Sequence, residues 1–185
     1  MNNEKFKEIL VHARQRAIKD WHGYSCINAV QEMNRLCFHY ETFEVQVNEI
    51  VHSKVPHIHT SCMTSLILDK GYQWVLQQAG AAISLQMFAA PGSVIRMGPT
   101  DTHWIPTQKE KSLSICVFEH QSDWHKHYPT LDNSEFHRLW NLFNQKFDEL
   151  LLKNPNFVVD CHQCGMNEMP PSGADQTQPS PRSYT

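Results

Sequence analysis

The sequence predicts a mostly β protein, a small rolled barrel of short strands with helical segments at both ends. Three observations carry that expectation. From about Tyr40 to Glu119, short strand-like runs alternate with Gly- and Pro-bearing breaks, the texture of an all-β sandwich or barrel. Inside that stretch Phe43, Val45 and Val47 alternate with polar residues, the period of a half-buried strand. On either side the apolar spacing changes to three and four, the helical rhythm.

The elements follow in chain order. From Glu4 to Trp21, Phe6, Ile9, Leu10, Ala13, Ala17 and Ile18 keep the helical spacing, and Gly23 is a stop signal. Val30, Met33, Leu36 and Cys37 extend the pattern to a second short helix over Cys26 to His39, making 1–40 an N-terminal helical segment. The barrel is expected over 41–128, with strands near 43–47, 50–55, 57–68, 72–76, 83–89, 93–97, 102–106 and 112–119. Asp69-Lys70-Gly71, Ala79-Gly80, Pro91-Gly92 and Gly98-Pro99 supply the turns. A C-terminal amphipathic helix is expected over 129–154, with Asn133 or Ser134 as its cap. Its stripe of Phe136, Leu139, Trp140, Phe143, Phe147, Leu150 and Leu151 needs a surface to cover: the barrel, or a second copy in a homodimer. Residues 155–185 form a tail, rich in Pro, Ser and Gln after 169 and expected to be disordered there.

Bulk properties exclude several classes. A net charge of −3 leaves no basic footprint for nucleic acid. No apolar run approaches a membrane span, and the polar start lacks a secretory core, so a cytoplasmic location is expected. Six cysteines show no framework spacing, which suits reduced thiols. Twelve histidines are the unusual count, and histidine is the commonest metal ligand.

The histidines of Val55-Pro56-His57-Ile58-His59 stand two apart, so on one strand both rings point the same way. His103 follows 44 residues after His59, on a later strand-like run. One metal ion inside the barrel, held by His57, His59 and His103, is the reading these positions invite. Histidines on a strand that face solvent, or that are satisfied by hydrogen bonds, fit the same residues in a barrel without metal.

The stretch from about 43 to 119 resembles the cupin superfamily, a double-stranded β-helix or jelly roll. The family's first motif, G-x5-H-x-H-x3,4-E-x6-G, is matched by His57-x-His59, four residues, Thr64, six residues and Gly71, with Val51 at the leading Gly and Thr64 at the Glu. Its second, G-x5-P-x-G-x2-H, is matched by Gly92 and His103 at the required spacing, while Gly98 and Thr100 occupy the Pro and inner Gly positions. The resemblance implies a jelly-roll barrel with a three-His metal centre. Such iron sites are similar to those of thiol dioxygenases and certain diketone-cleaving dioxygenases. Thiol dioxygenases carry Ser-x-His-x-Tyr on a late strand; here Ser114-Ile115-Cys116-Val117-Phe118 keeps only the Ser.

What the resemblance implies is therefore a metal-dependent enzyme, an Fe(II) dioxygenase with a small-molecule substrate, with Ni, Mn or Zn as alternative metals. Without the Glu, three neutral imidazoles leave the ion's full charge in place, which favours an anionic substrate. The alternative is a non-catalytic cupin that binds or senses a small molecule, like the effector barrels of AraC-type regulators. No helix-turn-helix pattern follows the barrel.

Other residues are candidates for the surroundings of the site. Arg96 offers a fork for a substrate carboxylate, Thr64 a hydroxyl to orient water, and Trp74, Trp104 and Phe118 pocket walls. Cys62 and Cys116 are expected to point inward. His120, His125 and His127 form a second cluster, and Cys161-His162-Gln163-Cys164 has the zinc-knuckle spacing without a second pair to complete it.

Overall fold

A computed structural model describes residues 1–77, 80–121 and 127–153. His125, the Cys161–Cys164 pair and the tail lie outside the described residues. The described chain runs α1 (Asn3–Gln15), a 3-10 turn (Ile18–Asp20), β1 (His22–Ile27), β2 (Gln31–Tyr40), β3 (Phe43–His57), β4 (Met63–Ile67), β5 (Tyr72–Gln77), β6 (Leu85–Ala89), β7 (Val94–Met97), β8 (Thr102–Ile105), β9 (Ser112–Phe118) and α2 (Asn133–Lys153). No helix among them is long and apolar enough to cross a membrane.

The strands form a nearly closed antiparallel barrel. One wall is β1-β2-β3-β9-β4-β7 and the other is the end of β3 followed by β8, β5 and β6. The fifteen-residue β3 belongs to both. Its first half pairs with β2 on one edge and β9 on the other, and its far end pairs with β8. Pro56, which has no N–H to donate, sits where the β3–β8 register shifts between Ser53 and His57.

Period-two alternation sorts the side chains into two cores. Ile50, Met63, Ile67, Tyr72, Trp74, Ile105, Cys116 and Phe118 point into the barrel. Leu36, Phe38, Val45, Val47, Leu66, Leu113, Ile115 and Val117 point outward, where α1 and α2 cover them with Phe6, Ile9, Leu10, Leu139, Phe143 and Phe147. The apolar stripe of α2 is thus covered within the chain, on the outer face of one wall, except at Leu151, which is exposed. Asn2 caps α1 by accepting from Lys5 N (2.9 Å). Asp132, not Asn133 or Ser134, caps α2, its carboxylate accepting from Glu135 N at 3.0 Å.

Two glycines of the motif earn their places. Gly71 has φ +72°, and a Cβ there would lie 2.4 Å from the Ala89 carbonyl oxygen. Gly92 has φ +86° in the β6–β7 turn and donates its N–H to the Ile67 carbonyl at 2.8 Å.

Three expectations need correction. The second N-terminal helix does not form; Cys26 to His39 is a β-hairpin, with Asn28 Oδ1 accepting from Val30 N and Gln31 N in its turn. Both faces of β2 are buried, Met33 and Cys37 on one side, Leu36 and Phe38 on the other. That double burial blurs the period-two signal and imitates a helical stripe. The first helix also stops at Gln15, and Ile18–Asp20 forms only a 3-10 turn. Finally, the strand expected over 57–68 is two strands, because β3 ends at His57 and β4 begins at Met63.

Candidate metal centre

The three histidines meet inside the barrel, by a route different from the expected one. His57 and His103 are direct cross-strand partners on β3 and β8, so their rings share a face and lie 4.3 Å apart, centre to centre. His59 lies two residues past the end of β3, in the connection to β4, and does not use strand alternation. Its ring turns back to within 4.8 Å of the His103 ring and stands edge-on to Phe118. One potential ligand atom from each histidine lies within 4.8 Å of the others.

Hydrogen bonds set the tautomers. His57 Nδ1 lies 2.9 Å from the Val55 carbonyl oxygen and His103 Nδ1 lies 3.2 Å from that of Asp101. Each Nδ1–H donates to its carbonyl, which leaves the Nε2 lone pair directed at the site. The Nε2 atoms of His59 and His103 are 3.1 Å apart. Two imidazole nitrogens bound to one ion at about 2.1 Å stand roughly 3.0–3.4 Å apart, so this pair fits the donor spacing of a metal centre.

Burial keeps the His59 and His103 rings neutral. It lowers the pKa of His59 to about 3, with the neighbouring His103 and His57 adding to the effect. It lowers His103 to about 4, with His57 adding and the bond to the Asp101 carbonyl opposing. Neutral imidazole is the ligating form, so protons compete weakly for these nitrogens at neutral pH. His103 is 2% exposed and its ring lies tilted against Trp74, 5.3 Å from centre to centre.

The cluster opens onto a cavity of about 300 Å³ lined by Gln31, Arg35, Gln46, His57, His59 and Tyr128 among others. A smaller chamber of about 60 Å³ behind it reaches His103, Trp74, Ser114, Cys116 and Phe118. The thiol of Cys116 is buried there, donating to Ser65 Oγ (3.2 Å) and accepting from Asn48 Nδ2 (3.4 Å). Burial raises its pKa, so it is a neutral thiol. Cys62, in contrast, is exposed. His120 lines the outer cavity.

The three residues expected to surround a substrate lie elsewhere. Met63 and Ser65 face inward, so Thr64 between them points to the helix-covered side, as does its register partner Arg96. The Arg96 guanidinium donates to Asn3 Oδ1 at the start of α1. Trp104 follows the inward His103 and takes the opposite face. None of the three lines either chamber. A residue that the sequence reading passed over is Arg35, which lines both. It was hidden because Cys26 to His39 read as a helix; on a strand, alternation with Met33 and Cys37 turns it inward.

No protein-family model matches the sequence, and no curated protein sequence matches it significantly. Similar solved structures include a variant of oxalate decarboxylase from B. subtilis, at 11% identity and a TM-score of 0.50, covering 78% of this chain and 39% of that one. Hydroxypropylphosphonic acid epoxidase from S. wedmorenis aligns at 7% identity and a TM-score of 0.45, covering 56% of this chain and 57% of that one. A cupin 2 conserved barrel domain protein from Rhodopseudomonas palustris aligns at 15% identity and 0.43, covering 56% and 72%. The chain thus spans less than two thirds of the decarboxylase and of the epoxidase. What this chain has in common with the decarboxylase is the fold: a cupin-type jelly-roll barrel.

Proposed function

We propose that this chain is a metal-dependent cupin enzyme, an Fe(II) dioxygenase that acts on a small anionic organic substrate. His57, His59 and His103 hold the ion in this reading. The observation that carries it is the convergence of three imidazoles whose ligand atoms lie within 4.8 Å of one another, with His57 and His59 lining an open cavity and with Nδ1 of His57 and of His103 tied to a carbonyl.

Bound there, Fe(II) would supply a redox-active centre with coordination positions left open for oxygen and substrate, as expected of a three-ligand facial site. Ni, Mn and Zn fit the same three imidazoles. The chain's own residues do the rest. Phe118 and Trp74 shield the rings from water on two sides. The Val55 and Asp101 carbonyls hold two imidazoles in the ligating tautomer. In the metal-free arrangement His59 Nε2–H donates to His103 Nε2, so ligation through His59 Nε2 would require the neutral ring to change tautomer, carrying its proton on Nδ1 instead.

Metal analysis of the purified protein tests the reading, with His57→Ala and His103→Ala as controls. About one equivalent of metal in the wild type, lost in both variants, together with oxygen uptake on a small anion, is the expected result. A folded protein that takes up no metal, yet binds small molecules, overturns it in favour of a binding or sensing module.

A further inference from the structure

We propose that Arg35 is the specificity-determining residue of the cavity and selects small molecules that carry an oxyanion. This deepens the metal-centre reading and rests on it for the ligand's orientation, with the oxyanion on Arg35 and the reacting end toward the histidines.

Arg35 lies midway along β2, and strand alternation aims it into the barrel beside His57 and His59. The side chain lines both the outer cavity and the inner chamber. The head is held from behind: Nε donates to Asn48 Oδ1 at 2.6 Å and Nη2 lies 2.9 Å from Met33 Sδ. A guanidinium fixed in this way loses little freedom when it takes up an oxyanion, and its planar fork suits carboxylate or phosphonate oxygens. The other polar groups of the outer cavity are amides, hydroxyls and imidazoles, including the Gln31 amide that donates to the Tyr128 hydroxyl. A cavity of about 300 Å³ sits at the small end of ligand sites, which limits the ligand to a small molecule.

The test uses the full chain in metal-loaded and chelator-stripped form, with propionate, methylphosphonate and propionamide as probes. Binding is followed by calorimetry and by the NMR signal of the Arg35 Nε–H group. Propionate or methylphosphonate is expected to bind and move that signal, and propionamide to bind at least tenfold more weakly. The tighter of the two anions identifies the ligand as planar carboxylate or tetrahedral phosphonate. Arg35→Gln should lose tenfold or more in anion affinity with metal stoichiometry unchanged. Should that variant fail to fold, Arg35→Lys keeps the charge without the fork and should bind several-fold more weakly than wild type. Equal binding of propionate and propionamide, or wild-type anion affinity in either variant, overturns the proposal. Anion binding that depends on Arg35 in a protein that takes up no metal leaves this subsite standing and removes only the metal centre.

Discussion

Acid should destabilise the metal-free protein through two buried rings, and the size of the effect follows from the site. An imidazole in the unfolded chain takes up its proton near pH 6.5. In the folded chain His59 and His103 hold out to about 3 and about 4. Between those limits the unfolded state binds more protons, so stability is full above about pH 6.5 and is lost as pH falls toward the folded values. From pH 7 to pH 4 the loss is on the order of 3 kcal/mol for either ring alone. Each ring's shift contains repulsion from its neighbour, so the pair together loses less than about twice that. Against a typical folding stability of about 5–15 kcal/mol this is a large fraction. Urea midpoints of chelator-stripped wild type and His103→Gln at pH 7, 6, 5 and 4 measure it. Wild type should lose stability more steeply between pH 6 and pH 4 than the variant. The carboxylates are common to both proteins and cancel in the comparison. Parallel pH profiles would show that the buried rings are not held neutral and would refute the reasoning.

Further outcomes are expected from single substitutions. Phe143→Ala empties a fully buried position between α2 and the sheet and should cost about 3–5 kcal/mol in urea unfolding, with metal stoichiometry unchanged in the folded protein. Gly71→Ala forces a side chain onto the Ala89 carbonyl at a positive φ and should cost more than about 1 kcal/mol, read as a lowered melting temperature. Thr64→Val and Arg96→Gln lie on the helix-covered face and should leave metal content and anion affinity at wild-type values. Arg138→Ala removes the ion pair that Glu49 makes with α2, at 2.6 Å from a side chain 6% exposed. It should cost about 1–3 kcal/mol at neutral pH. Burial pushes the Glu49 carboxyl up, but Arg138 and Lys111 hold it below its usual value. The cost should therefore shrink as pH falls through the carboxylate range, which denaturant midpoints at pH 7 and pH 3.5 would show.

The barrel was legible because its turns carry Gly71 and Gly92, whose backbone angles few other residues adopt, and because its ligand spacings survive. The three histidines could be picked from the sequence for a partly mistaken reason. Strand alternation puts His57 and His59 on one face, but His57 meets His103 through the cross-strand register, and His59 reaches the cluster only because the chain turns back after β3. Where both faces of a strand are buried the pattern misleads, as in β2, and the error hid Arg35 with it. Thr64 was selected by its motif position, and position alone does not say which face a residue takes; Met63 and Ser65 claim the interior on either side of it. The long-range facts, such as α2 lying on the outer wall rather than across the cavity mouth, depend on which of two apolar surfaces is left to cover. No local window carries that information.

Because β3 is shared by both walls, the order in which the barrel assembles bears on when the site exists. Its hairpin with β2 closes over a two-residue turn, whereas His57 meets His103 only after the chain has travelled through four intervening strands to β8. Local pairing precedes distant pairing when loop closure limits the rate. During refolding, capture of a coloured ion such as Co(II) by the imidazoles would then signal the pairing of β3 with β8, and would trail the far-ultraviolet signal of the β2–β3 hairpin.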